Sequence, residues 1–209
     1  IMDTVKSTNN WLSSFFCDID DGALAIQQTE GKGRRGNVWA SKTGGLYFSF
    51  ISSNHRLLPL ITGISVVESL VDIKDNIKLK WPNDIIVKEK KLGGILCENH
   101  GDCSVVGIGL NISNDISLSD AINLSDLNYN LDRLDFVSFF KFNFNNNFNF
   151  SPQEILEKYT ELDFLMGRKI DWNTGSGIVQ SVDIDGSLVV STEDKTVNLY
   201  SEEISIEKY

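Results

Sequence analysis

Residues 77–96, IKLKWPNDIIVKEKKLGGIL, are the stretch on which the fold reading turns. Ile77, Leu79 and Trp81 alternate with lysines, the period-two pattern of a strand with one buried face. Pro82 ends that strand, and Pro82-Asn83-Asp84 turns the chain into a second apolar run at 85–88. Glu89-Lys90-Lys91 then reads as a hairpin tip leading into a third strand over 92–98. Downstream, CSVVGIG at 103–109 makes another apolar strand, ending at Leu110-Asn111. Upstream, GALAIQQ at 22–28 and LYFSFIS at 46–52 read as buried strands.

Helices are interspersed among these strands. Residues 7–16, STNNWLSSFF, predict a short helix capped by Ser7 or Thr8, with an apolar stripe of Trp11, Leu12, Phe15 and Phe16. Residues 58–71 have helical length and tolerate Pro59 in the first turn. Residues 113–131 read as a polar loop with a short apolar stretch at 121–127. The segment FVSFFKFNFNNNFNF at 136–150 fits two periods. Phe136, Phe139, Phe140 and Phe144 form a helix face, whereas Phe140, Phe142 and Phe144 alternate like a strand. Helix is the expectation, because Ser151-Pro152-x-Glu154 then opens a clear amphipathic helix over 152–166. The Asn/Phe bias itself is read as compositional and is assigned no function. After Gly167, short strands separated by turn signals indicate a compact all-β module. The expected architecture is α+β, a mixed sheet covered on one face, with domains 1–166 and 167–209.

The chain of 209 residues, 41% hydrophobic, suits one main globular domain with a small appendage. No apolar run approaches the ~20 residues of a membrane-spanning helix. The start, IMDTV, lacks a basic stretch followed by an apolar core, so no secretory signal is expected. Three cysteines, Cys17, Cys97 and Cys103, without C-x-x-C spacing favour reduced thiols and a cytoplasmic setting. Two histidines, His55 and His100, give little support to zinc chemistry or a Ser-His-Asp triad. A net charge of −10 opposes a whole-surface grip on nucleic acid. Against that background, Lys32, Arg34 and Arg35 form a local positive spot suited to a small anion.

Four constellations carry candidate chemistry. Gly31-Lys32-Gly33-Arg34-Arg35-Gly36 combines backbone freedom with positive charge, an anion cradle or a solvated basic turn, and it lacks P-loop spacing. Asn83 and Asp84, aimed by Pro82, can take Mg²⁺ or a phosphate-bound water, or simply make a turn. Lys91 stands at the mouth of a strand containing Gly93 and Gly94. An ammonium there can neutralise a carboxylate and a phosphate forced together, although a surface lysine beside a bulge reads the same. Gly107-Ile108-Gly109-Leu110-Asn111 repeats the pattern of glycines followed by an amide.

In order and spacing, Ser7-Thr8-Asn9, Gln28 with GKGRRG, Trp39, KWPND (80–84), KLGGIL (91–96) and GIGLN (107–111) resemble the biotin–protein ligases. The resemblance implies a class II synthetase-like catalytic domain of the biotin/lipoate ligase type, followed by a small SH3-like β-barrel. It implies that biotin and MgATP give biotinyl-5′-AMP and pyrophosphate, after which biotin passes to a lysine of a biotin carboxyl carrier domain. By matching position, Ser7, Thr8 and Gln28 would hold biotin's ureido head, with Asn9, Lys32, Gly33, Arg34, Trp39 and Lys91 also at the biotin. Gly94 and Ile95 would offer it backbone groups. Arg34, Arg35, Trp39, Asn83, Asp84, Lys91 and Asn111 would serve ATP, with Asn83 and Asp84 at the metal. Arg34 and Lys91 would take the catalytic roles. Lys32 stands where many members carry arginine, with a modest effect expected on how tightly the loop closes. The helix-turn-helix unit that some bacterial members carry before STN has no counterpart here, so a monofunctional ligase that binds neither nucleic acid nor membrane is expected. Homodimer formation through a sheet edge is known in the family. The rival readings are a lipoate–protein ligase and a non-catalytic biotin- or nucleotide-binding protein.

Overall fold

Alternation of large side chains along the strands divides the molecule into a packed side and an open side. The computed structural model describes residues 1–14, 18–116 and 119–206. Its larger sheet contains β1 (Met2–Val5), β2 (Gly22–Gln28), β3 (Leu46–Ser53), β4 (Ile77–Lys80), β5 (Asp84–Val87), β6 (Lys90–His100) and β7 (Cys103–Leu110), in the order β1-β2-β3-β7-β6-β5-β4. β1 runs parallel to β2 and every other pairing is antiparallel, so the sheet is mixed as expected. β1 itself is absent from the sequence reading; its four residues, MDTV, are too short and too polar to announce a strand.

Leu24, Phe48, Phe50, Ile95, Val106 and Ile108 face the main core. Helices α2 (Leu58–Ser69), α3 (Arg133–Phe148) and α4 (Pro152–Leu162) contribute the other side of that core. Their neighbours one residue away, Ala23, Ile51 and Val105, point to the opposite face and pack on Leu12 of the short helix α1 (Thr8–Ser13). The sheet is therefore covered on one face by three helices and only partly on the other. Ser7 caps α1, accepting the Asn10 N–H as expected, while Phe15, Phe16 and Cys17 lie outside the described residues.

The ambiguous Phe-rich segment is helix α3, capped by Asp132. Phe136, Phe140 and Phe144 are buried at four-residue spacing, whereas Phe139 and Phe142 are exposed. Phe50 receives the edges of Phe140 and Phe144 at ring-centroid distances of 5.4 and 4.8 Å. The segment is also more than compositional. Asn147 is buried, donates to Ser65 Oγ (3.0 Å) and Glu68 Oε2 (2.7 Å), and accepts from Lys158 Nζ (2.9 Å), tying α3 to α2 and α4. Helix α4 stops at Leu162 instead of 166. Asp163 takes extended geometry, and the Phe164 N–H donates to Leu79 O at 2.9 Å, covering the outer edge of β4.

The C-terminal strands β8 (Lys169–Trp172), β9 (Gly175–Val182), β10 (Leu188–Ser191), β11 (Thr196–Leu199) and β12 (Ser205–Ile206) form a second antiparallel sheet in the order β11-β10-β9-β8-β12. This is consistent with an SH3-like module, and among the described residues β11 and β12 form the two edges of the sheet. Ile170, Val179 and Val190 join the same buried cluster as the main core, and the Trp81 indole N–H donates to Gly186 O at 3.0 Å. Among the described residues, no helix is long and apolar enough to cross a membrane, and Cys97 and Cys103 are free thiols. Burial and then Glu98 push the Cys97 thiol up to about 12.

Phe140→Ala is expected to lower stability by about 3–5 kcal/mol in chemical denaturation, because it empties the centre of the aromatic cluster. Phe142→Ser, on the exposed face of the same helix, should change stability by no more than about 0.5 kcal/mol.

Candidate active site

A cavity of about 690 Å³ opens over the uncovered face of the larger sheet. Every site residue expected from the sequence lines it except Asn111. The floor is made by β6 and β7, where Gly94 pairs with Gly109. A Cβ on Gly109 would lie 2.6 Å from the Trp39 ring, and one on Gly107 would lie 2.3 Å from Asn9 Oδ1. The glycines thus let an indole and an amide rest directly on the strands.

At one end, α1 presents Thr8 and Asn9. The Thr8 N–H donates to Gln28 Oε1 at 2.7 Å, and Thr8 Oγ1 lies 3.0 Å from the same oxygen. Ser49 Oγ, fully buried, sits 2.6 Å from both Thr8 Oγ1 and Asn9 Oδ1. Asn9 Nδ2 donates to Glu98 Oε2 at 2.8 Å. Neither Ser49 nor Glu98 was among the sequence candidates. Ser49 had a usable signal, the one polar residue between Phe48 and Phe50, facing the opposite side of the strand.

The glycine-rich loop is closed on itself. Gly33 N–H donates to Asn37 O, Asn37 N–H to Arg34 O, and Trp39 N–H to Gly31 O. Gly31 is required there, since a Cβ would lie 2.4 Å from Trp39 O. Lys32 turns away to donate to Asn10 Oδ1 at 2.7 Å. Arg35 adopts φ 54°, ψ 30°, a left-handed conformation that costs a non-glycine residue about 1–3 kcal/mol. Both guanidiniums donate to one carbonyl, Ser201 O, Arg34 at 3.1 Å and Arg35 at 2.5 Å. Burial, and then Arg35 beside it, pull the Arg34 guanidinium below its usual value.

Lys91 is the cation at the centre. Its Nζ lies 2.6 Å from Asp84 Oδ1 and 5.4 Å from the centroid of the Trp39 ring, whose indole N–H is buried without a partner. Its backbone N–H donates to Asp120 O, and its carbonyl accepts from the Ile122 N–H.

Three of the expected residues also brace the site through hydrogen bonds of their own. Asn83, on the cavity wall, ties strand to loop, Nδ2 donating to Ile95 O at 2.8 Å and Oδ1 accepting from Arg34 at 3.4 Å. Ile95 sends its side chain into the core, its N–H donates to Asn83 O, and its carbonyl accepts from Asn83 Nδ2. Asn111 is buried away from the cavity, donating to Lys91 O at 3.4 Å and accepting from Asn114 Nδ2 at 3.2 Å. It holds the backbone of Lys91. Among the described residues, no group of three or more His, Cys, Asp and Glu is placed to hold a metal ion.

The C-terminal sheet walls the cationic end with Trp172, Asn173, Glu202 and Glu203. Nothing local in the sequence marks these residues. Taken together, the cavity offers a small polar head pocket, an aromatic divider and a charged end where Arg34, Arg35 and Lys91 stand among Asp84, Glu202 and Glu203. Such a site suits a ligand with a compact hydrogen-bonding head and a carboxylate tail, beside a polyphosphate.

Residues 2–113 match the model of the biotin/lipoate A/B protein ligase family. Biotin–protein ligase 2 of Arabidopsis thaliana is 34% identical over 129 residues, covering 53% of this chain and 39% of that protein. The bifunctional ligase/repressor BirA of Escherichia coli is 27% identical over 221 residues, covering 92% of this chain and 69% of that one. The chain thus spans well under two thirds of the plant relatives it matches. The biotin protein ligase from Aquifex aeolicus, solved in complex with biotin and ATP, superposes with a TM-score of 0.85 at 30% identity, covering 100% of this chain and 97% of that one.

Gly109→Ala should drive Trp39 off the strand floor. The expected outcome is an altered near-ultraviolet circular dichroism band from tryptophan together with weakened ligand binding; an unchanged band and affinity would contradict this packing.

Proposed function

The chain belongs to the biotin/lipoate A/B protein ligase family, and on that premise we propose that it is an ATP-dependent biotin–protein ligase. The observation that carries this reading is the joining, in one cavity, of the Thr8–Gln28–Ser49 head pocket to the Lys91, Arg34 and Arg35 cations, with Trp39 between them. In the first step a biotin carboxylate oxygen bonds to the α-phosphorus of ATP, the bond to the β-phosphate oxygen breaks, and pyrophosphate leaves. In the second, the ε-amine of a lysine on a biotin carboxyl carrier domain attacks the acyl carbon. AMP leaves, and the amine releases a proton.

Ser7, Thr8 and Gln28 would bind the ureido head, where buried polar partners make an analogue without that group costly to accept. Lys91 would bring the carboxylate and the α-phosphate together, its charge offsetting their repulsion. Arg34 and Arg35 would exchange the Ser201 carbonyl for phosphate oxygens, a stronger acceptor for two guanidiniums. Asp84, beside Lys91, is placed to receive the proton of the incoming amine. Mg²⁺ arriving with ATP needs only one or two carboxylates besides phosphate and water, and Asp84 fits that requirement; the ion would supply charge neutralisation. Residues 1–166 would form the catalytic domain and 167–209 a small module that closes its nucleotide end. Use of ATP and a carrier domain fits a cytoplasmic setting. The polar head pocket favours biotin over lipoate, whose dithiolane ring has no N–H to donate.

Pyrophosphate release should occur with ATP and biotin and not with ATP and lipoate; release with lipoate alone would overturn the biotin assignment. Lys91→Ala and Arg34→Ala should each slow adenylate formation by about 10²–10³-fold, measured as single-turnover pyrophosphate release. Unimpaired release in Lys91→Ala would remove the proposed mechanism.

A further inference from the structure

The hydrogen bonds at the head of the cavity each have a direction dictated by their partners. Gln28 must turn Oε1 to Thr8, because the Thr8 backbone N–H, 2.7 Å away, only donates. Its Nε2 then donates to Ser41 Oγ at 2.8 Å, and Ser41 passes its own proton to Trp39 O at 3.0 Å. At the far end, Asn9 must turn Nδ2 to Glu98 Oε2, 2.8 Å away, because a carboxylate only accepts. Asn9 Oδ1 therefore faces Ser49 Oγ at 2.6 Å and takes its proton. Ser49 Oγ also lies 2.6 Å from Thr8 Oγ1, which lies 3.0 Å from Gln28 Oε1. Three oxygen–oxygen contacts thus share two hydroxyl protons. The two shortest consume them, Ser49 donating to Asn9 and Thr8 donating to Ser49. The deficit falls on the longest, between Thr8 Oγ1 and Gln28 Oε1, and both of those residues line the cavity.

We propose that Glu98 is a positioning residue that sets the polarity of this chain, so that the cavity head presents lone pairs and selects ligands carrying N–H donors. The inference rests on the biotin reading above, in which the ureido ring supplies such donors. Glu98 is outside the cavity lining and acts only through Asn9. The Thr8 and Ser49 hydroxyls and the Asn9 amide all point toward its carboxylate, and bonds aligned in one direction reinforce each other. A ligand N–H entering beside Thr8 completes the proton count. A ligand without one leaves Thr8 Oγ1 and Gln28 Oε1 facing each other with no proton between them. With glutamine at 98, the new amide can donate to Asn9, which then turns over and donates to Ser49. Ser49 donates to Thr8 and Thr8 to Gln28, so the pocket satisfies itself before any ligand arrives.

The test compares biotin with its cyclic carbonate analogue, in which both ring N–H groups are oxygens, by pyrophosphate release in the unaltered protein, Glu98→Gln and the exchange variant Asn9→Asp/Glu98→Gln. In Glu98→Gln the biotin KM should rise and the preference for biotin over the carbonate should fall, each by about tenfold, with the ATP KM within about twofold of the original. The exchange variant, which reverses only the bond between positions 9 and 98 and keeps the Ser49 and Thr8 hydroxyls pointing toward position 9, should regain most of that preference. An unchanged preference in Glu98→Gln, an equal rise in both KM values, or no recovery in the exchange variant would overturn the role of Glu98 alone. Failure of the unaltered protein to release pyrophosphate with biotin would instead overturn the ligase reading, and this inference with it.

Discussion

Where they floor the cavity, strands β6 and β7 carry bulky aliphatic side chains on one face and mainly glycine on the other, and the rest of the molecule follows from that asymmetry. Ile95, Val106 and Ile108 anchor the core beneath helices α2 to α4. Gly94, Gly107 and Gly109, one residue out of phase, leave a floor bare enough for Trp39 and Asn9 to lie on it. A strand alternates its faces strictly, so the same residues that build the core determine where the cavity is. Stability and site are two sides of one sheet, and a methyl group added to the bare side would close the space that the other side supports.

The charge distribution imposes the second constraint. A chain of net charge −10 gathers Arg34, Arg35 and Lys91 around one cavity, where burial and then the neighbouring Arg35 disfavour the charge on Arg34. Asp84 offsets Lys91. The two guanidiniums share a single neutral carbonyl on Ser201, held there by a loop with Arg35 in a left-handed conformation. Glu202 and Glu203 line the same end and balance part of this charge, and a phosphate in place of the neutral carbonyl would give the two guanidiniums a stronger acceptor. The C-terminal sheet is thereby part of the site's electrostatics as well as its wall.

The head of the cavity is short of protons, whereas its other end holds cations and carboxylates together. Its hydroxyls and amides all donate away from the cavity, toward Glu98 and Trp39 O, and the oxygens left facing inward await a donor. Each end is completed by a group of complementary chemistry, so a ligand bearing N–H groups at one end and negative charge at the other satisfies both at once.

Much of this was legible in the residues alone. Period-two alternation marked β4 and short apolar runs marked five more of the seven strands of the larger sheet, the capped helix after Ser151 favoured a helix in the Phe-rich segment, and the glycines of GKGRRG, KLGGIL and GIGLN marked where backbone must come close to something else. These are local signals, set by covalent geometry and by the repeat of each secondary structure. What only the tertiary structure decided is which side chains meet. Asn9 and Glu98 are 89 residues apart, and Arg35 and Ser201 are 166 apart. The same constraint set the partners of Asn83, Ile95 and Asn111, whose polar groups meet neighbours that only folding supplies. A residue's chemistry is written in its type, but whether that chemistry is free depends on hydrogen-bond partners that no local pattern encodes.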